Sequence, residues 1–195
     1  MNRSLTVLAA LAFPNALMAA GDIRGVDHIA ITVPDLAEAR SFMETAFGCE
    51  HALDLGPFMD PNGTWMQDAI GTHKDAVMHI AELVCGNATN IELMEISSPT
   101  QDVVFPKRED FGASSIGLYT DDLRATLDRA TAAGATPLAQ ITSVSEGPLA
   151  GRSFIYVTAP WGQQFFLMSD GAEGTAFSRS DAPVIPFSPR DLPKR

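Results

Sequence analysis

The sequence predicts an α+β chain made of two copies of one module, each a strand, a helix and three further strands (βαβββ). Three observations carry this: an internal repeat, alternation of apolar side chains at the start of each copy, and matching helix signals behind each alternating run. Residues 25–48 read GVDHIAITVPDLAEARSFMETAFG and residues 112–135 read GASSIGLYTDDLRATLDRATAAGA, and the two align without a gap. In each, a Gly precedes a short strand, an Asp-Leu pair follows, and a helix of matching length comes next.

The opening strands are expected at His28–Val33 and Ser115–Thr120. Ile29 and Ile31 in the first match Ile116 and Leu118 in the second, and alternation along an extended chain puts each pair on one face. Asp35 is placed to cap the first helix, with Glu38 three residues on to complete a capping box. Asp122 holds the equivalent position in the second copy, without the Glu. Leu36, Ala39, Phe42, Met43 and Ala46 recur at helical spacing, as do Leu123, Leu127, Ala130 and Ala133, so each helix has one buried stripe. Gly48 and Gly134 are the helix stops.

Three strand-like runs follow each helix: Cys49–Leu55, Ala76–Val84 and Asn90–Ile96, then Thr136–Ile141, Ser153–Thr158 and Gln164–Ser169. Both copies close alike, on IELM at 91–94 and FFLM at 165–168. The modules thus cover about 25–96 and 112–170, joined by a linker at 97–111. The first is longer because of a Gly-, Pro- and Asp-rich stretch at 56–74, and loops of this size often serve as lids or binding loops. Residues 171–195 carry Pro, Ser and Gly without periodicity and read as an irregular tail that drapes the surface or moves.

Composition narrows the function. The chain has 195 residues, 46% hydrophobic and 19% charged, enough for one compact core at 22–170. Its formal charge of −11 and the lack of a Lys/Arg run argue against nucleic acid and against anionic lipid. Residues 1–21 have the pattern of a signal peptide: Arg3, the apolar run Leu5–Phe13, and small residues at Ala19, Ala20 and Gly21. The run is too short to span a bilayer, and Pro14 disfavours a mature helix. The expectation is an exported chain, periplasmic or secreted, off the membrane after signal removal. No P-loop, dinucleotide fingerprint or nucleophile elbow is present.

The duplicated pattern, with HIAITVPDLAEARSF opening the first module and APWGQQFFLMSD closing the second, resembles the vicinal oxygen chelate superfamily over about residues 25–170. That superfamily includes glyoxalase I, methylmalonyl-CoA epimerase, extradiol dioxygenases and the fosfomycin and bleomycin resistance proteins. The resemblance implies a curved, cupped mixed sheet with helices on its convex face, a small organic molecule in the cup, and pairing into homodimers. It also implies a divalent metal (Zn, Fe, Mn or Ni) held by the first and last strands of each module.

Strand parity then turns His28, Ala30, Thr32, Glu92 and Met94 of the first module inward, with Ser115, Gly117, Tyr119, Gln164, Phe166 and Met168 of the second. The four ligand positions implied by the resemblance fall on His28, Glu92, Ser115 and Phe166. His and Glu are ordinary ligands, whereas neutral Ser is a poor one and Phe is none. Ala159 also replaces the Asp that often precedes the Pro-x-Gly turn in this superfamily. The reading is therefore a cup without the complete metal centre and without a cofactor. His28 and Glu92 are the candidate catalytic pair, and Thr32, Met94, Ser115, Tyr119, Phe166 and Met168 are candidate ligand contacts. The alternative is a metal-dependent lyase, isomerase or dioxygenase in which His28 and Glu92 gain a third ligand from His51, His73 or His79. His28 would act as ligand or base, or else be a relic hydrogen-bonded to Glu92. The apolar Phe166, Met94 and Met168 would wall a ligand or simply fill the cup. Trp65 fits either a lid or a surface ring tucked against the domain. In this fold the second and third strands of a module are antiparallel neighbours, so Cys49 and Cys85 are expected side by side, as a disulfide if the chain is exported.

Overall fold

The computed structural model of the protein describes residues 25–86, 89–181, 188 and 189, so the predicted signal segment lies outside the described residues. The order of elements is the predicted duplication. The first module comprises β1 (His28–Val33), α1 (Leu36–Phe47), β2 (Glu50–Phe58), α2 (Trp65–Ile70), β3 (Val77–Cys85) and β4 (Thr89–Ser97). The second comprises β5 (Ser115–Tyr119), α3 (Leu123–Ala132), β6 (Thr136–Pro137), β7 (Thr142–Ser143), β8 (Arg152–Thr158) and β9 (Gln164–Asp170).

Each module makes its own mixed sheet. The first is ordered β1-β4-β3-β2 and the second β5-β9-β8-β6, with β7 also on β8. In both, the opening strand runs parallel to the last one, and the rest of the sheet is antiparallel. The parallel pairing is possible because a helix and two strands intervene, giving the chain room to cross over. The hydrogen bonding thus divides the strands into two open sheets, one per module.

The helices hold the two sheets together. Asp35 caps α1, its carboxylate accepting from the Glu38 amide at 2.8 Å, and Asp122 caps α3 in the same way through Ala125 at 2.9 Å. Gly48 ends α1 in the left-handed conformation, φ 70°, as a C-cap glycine should. In the second copy Ala133 is the C-cap, and the turn falls one residue later at Gly134, φ 104°. The buried stripes of α1 and α3 face their sheets and also touch each other. One core results, running from Phe42, Met43, Leu83 and Leu93 through Leu127, Ile155, Phe165 and Leu167. Phe165 is its hinge, with its ring 6.3 Å from that of Phe42 and 4.9 Å from that of Phe47. Among the described residues no long helix lies on the opposite face of either sheet.

Three stretches differ from expectation. Of the predicted strand Thr136–Ile141 only Thr136–Pro137 (β6) is strand; 138–141 are irregular, and pairing resumes in β7 just past the predicted run. Pro137 has no amide to offer a ladder, and strands containing proline sit at sheet edges. The long stretch at 56–74 is shorter as a loop, because β2 runs on to Phe58 and α2 forms within it. Met66 of α2 is fully buried against Met78 and Ile80, with Phe58, Met94 and Ile96 around it, so α2 closes one end of the open face of the first sheet. Residues 171–181, the described start of the tail, are bound to the second module: Ala176 and Phe177 donate to Ala150 and Pro148, and Thr175 is buried. That part drapes the surface.

Cys49 and Cys85 form a disulfide across the ends of β2 and β3.

Candidate active site on the open face

Register fixes what shares the open face of the first sheet. Ala30 pairs with Glu92, and Glu92 pairs in turn with Glu82. His28 and Thr32 flank Ala30 on the same side of β1. The row is therefore Ala30, Glu92 and Glu82, with His28 one step along. Leu83, Ile91 and Leu93 point the other way into the core.

Glu82 hydrogen bonds to Glu92 across β3 and β4. Burial, followed by the like charge of Glu92 and that hydrogen bond, pushes the Glu82 carboxyl above its ordinary range. His28 is not bonded to Glu92; its Nδ1 lies 3.0 Å from Asp27 Oδ2. That bond raises the imidazole pKa, partial desolvation opposes it, and the charges of Glu92 and Glu82 raise it further. The result is an acid–base cluster of one imidazole and two coupled carboxyls on a solvent-facing wall. The sequence reading singled out His28 and Glu92 and did not consider Glu82, which register places opposite Glu92.

The other histidines are elsewhere. His51 pairs with Leu83 on the helix side and bonds Asp54 at 2.9 Å. His79 pairs with Glu95, also on the helix side, where Glu95 accepts from the Leu36 amide at 2.8 Å. His73 sits in a loop beside Asp75. A β-bulge between His51 and Leu53 shifts register within β2, but it does not carry His51 across the sheet. Among the described residues no group of three or more His, Cys, Asp or Glu side chains is arranged to hold a metal. The position that would complete the family's set on β9 is Phe166, which has no donor atom, and its counterpart on β5 is Ser115. These side chains do not fit a four-ligand metal centre.

The remaining candidates fall into three places. Thr32 lines a cavity of about 490 Å³ between β1, the linker at Gln101–Pro106 and the turn at Gly162–Gln164. Met94 belongs to the small core under α2 rather than to a free wall. Ser115, Tyr119, Phe166 and Met168 share the open face of the second sheet, with Gly117 opposite Phe166 and Tyr119 opposite Met168. A side chain at Gly117 would meet the Met168 methyl at 3.0 Å, so glycine leaves that wall room.

The second open face also carries residues not singled out from the sequence. Tyr156 and Phe154 of β8 stand beside Phe166, with ring centroids 4.5 and 5.2 Å from it. The Arg108 guanidinium, from the linker, sits 3.5 Å over the Tyr156 ring and donates to Gln164 Oε1 at 3.4 Å. Parity could have placed Phe154 and Tyr156 with Phe166; the Arg108 contact had no signal in the sequence. Trp65 is about half exposed, beside Phe58, and Trp161 packs on Phe42.

Known proteins share this pattern. The profile of the Glyoxalase/Bleomycin resistance protein/Dioxygenase superfamily matches residues 27–156. A 2-epi-5-epi-valiolone epimerase from Actinomyces sp. is 33% identical over 145 residues, covering 74% of this chain and 78% of that protein. A glyoxalase family protein from Bacillus cereus superposes with a TM-score of 0.63 at 20% identity, covering 80% of this chain and 99% of that one. Glyoxalase I from Zea mays gives 0.54 at 15% identity, over 75% of this chain and 46% of that one. At such identities the two structures speak for the fold alone. The duplicated βαβββ modules and the profile match over most of the chain lead to one assignment: the protein belongs to the glyoxalase/bleomycin resistance protein/dioxygenase superfamily.

Proposed function

We propose that the protein is a small-molecule isomerase of epimerase type, working by acid–base chemistry on the open face of the first sheet without a resident metal. The observation that carries this is the Glu82–Glu92 carboxyl pair beside His28. A carboxylate next to a carboxylic acid provides a base and a proton donor at one place. Glu92 takes a proton from a carbon adjacent to a carbonyl, and the electron pair moves onto the carbonyl oxygen as an enolate. Glu82 or protonated His28 donates a hydrogen bond to that oxygen. Whichever of Glu82 and His28 does not hold the oxygen returns a proton to the carbon on its other face, which completes an epimerisation, and Glu92 passes its proton to solvent, from which the donor is reloaded. The epimerase relative supports the reaction class. Export supports a disulfide-bearing chain and is supported by it, since such bonds persist in oxidising compartments. Pairing as a homodimer belongs to the same reading.

The experiment is proton NMR in D₂O with 2-epi-5-epi-valiolone, the compound named in the relative. Wild-type protein is expected to wash deuterium into the carbon next to the carbonyl. Glu92→Gln and His28→Gln are each expected to slow this by roughly 10²–10⁴-fold. Stoichiometric Zn, Fe, Mn or Ni in the purified protein by elemental mass spectrometry, with exchange lost on chelation, would overturn the metal-free reading.

A further inference from the structure

We propose that the open face of the second sheet is an anion-selective subsite for a flat aromatic carboxylate, with Arg108 as its charge and Phe154, Tyr156 and Phe166 as its wall. The proposal deepens the small-molecule reading above, and rests on it for treating the open faces as ligand-bearing.

The wall follows from strand register. Tyr156 and Phe166 are directly paired across β8 and β9, and Phe154 is two residues along on the same side. Their rings make one contiguous patch, with Phe154 and Tyr156 also 6.1 Å apart edge-on. All three are only partly buried, whereas Ile155, Phe165 and Leu167, facing the helix, are closed off completely or nearly so. An aromatic ligand stacking on such a patch gains offset or edge-to-face contact beyond simple burial.

The charge follows from Arg108. Its guanidinium carries five N–H donors in a fixed fork. One is spent on Gln164, at the long distance of 3.4 Å. Among the described residues no carboxylate lies within ion-pairing distance of it, although the chain carries a formal charge of −11. Arg152 on the same strand pair shows the contrast: Asp170 takes its fork with two bonds, at 2.7 and 3.1 Å. An arginine fastened by its plane to a ring, with its remaining donors unclaimed, is arranged to accept a carboxylate bidentately. The half of the cup that has no acidic ligand therefore presents a cation and an aromatic surface together.

The test is calorimetric titration of the whole protein with benzoate and with benzamide, its neutral isostere. Benzoate is expected to bind saturably, benzamide at least about tenfold more weakly, since the charge-assisted bond is lost. Arg108→Met keeps a flexible apolar stem over Tyr156 and removes the charge; it is expected to weaken benzoate by about tenfold or more and leave benzamide unchanged. Wild-type protein that fails to bind benzoate, or binds both ligands equally, overturns the proposal, as does an Arg108→Met variant with undiminished benzoate affinity. The benzoate-to-benzamide ratio needs no variant, so it still tests the charge if the substitution disturbs the linker. His28→Gln is expected to bind benzoate normally. Loss of deuterium exchange as a property of the wild type, with benzoate selectivity intact, would sink the epimerase reading and leave the subsite; the reverse pattern would do the opposite.

Discussion

Glu82 and Glu92 face each other on neighbouring strands, where like charges directly opposite are destabilising. Burial, and this opposition after it, raise the Glu82 pKa, and the consequence is a pH dependence with a definite sign. Glu82 has a folded pKa above its unfolded one. Its contribution to stability is present below the unfolded value and is lost as pH rises through the folded value. Glu82→Gln retains a donor to Glu92 but cannot ionise. In urea titrations it is expected to be more stable than wild type at about pH 8, the difference vanishing near pH 4, where both glutamates are protonated in the unfolded chain. A difference that grows as pH falls would contradict the protonated assignment. His28 has the same sign for a different reason: Asp27 favours the imidazolium, and that contribution fades as pH rises through the raised pKa of the ring.

At the scale of elements, the open face depends on where strands end and loops turn. The last turn of β2 runs close under β3, and Gly56 makes this possible. A Cβ there would stand 2.7 Å from the Met78 carbonyl oxygen, at a φ of 105° that other residues rarely adopt. Gly56→Ala is expected to destabilise by more than about 1 kcal/mol, measured by chemical denaturation, because both space and conformation are wrong for a side chain. Since α2 and Met66 pack over Met78, the same variant should loosen that end of the first open face, seen as faster amide exchange in 65–70. The caps are simpler. Asp35→Ala removes the acceptor for the Glu38 amide and is expected to cost about 1 kcal/mol.

For the whole molecule, the union of two modules rests on one core between α1 and α3. Phe165 comes from the second module yet packs on Phe42 and Phe47 of the first. Phe165→Ala is expected to cost about 3–5 kcal/mol, because the cavity lies where neither module can close it alone. The disulfide acts within the first module only, joining residues 36 apart in sequence. By the loop-entropy account, replacing both cysteines with Ser lowers stability by about 4 kcal/mol, readable as a fall in Cm with an m-value that rises as the denatured chain loses its crosslink.

The duplication, the strands' parity and the helix caps were all legible in the sequence, because each is a local or periodic signal: Ile29 against Ile116, Asp35 against Asp122, IELM against FFLM. Parity put His28 and Glu92 on the faces opposite their strands' apolar rows, and the resemblance, by making β2 and β3 neighbours, implied the pairing of Cys49 with Cys85. Tertiary structure decided the rest. β6 ended at Pro137 although Thr136–Ile141 read as one strand-like run, and Met66 found its partners on a sheet that adjoins it only in space. The raised Glu82 pKa comes first from burial and then from Glu92 opposite it, which are matters of packing and of register between two strands. Arg108 reached Tyr156 because the linker folds back over β8. A sequence shows which faces a residue can take; what stands across from it depends on pairing and burial, which only the folded chain sets.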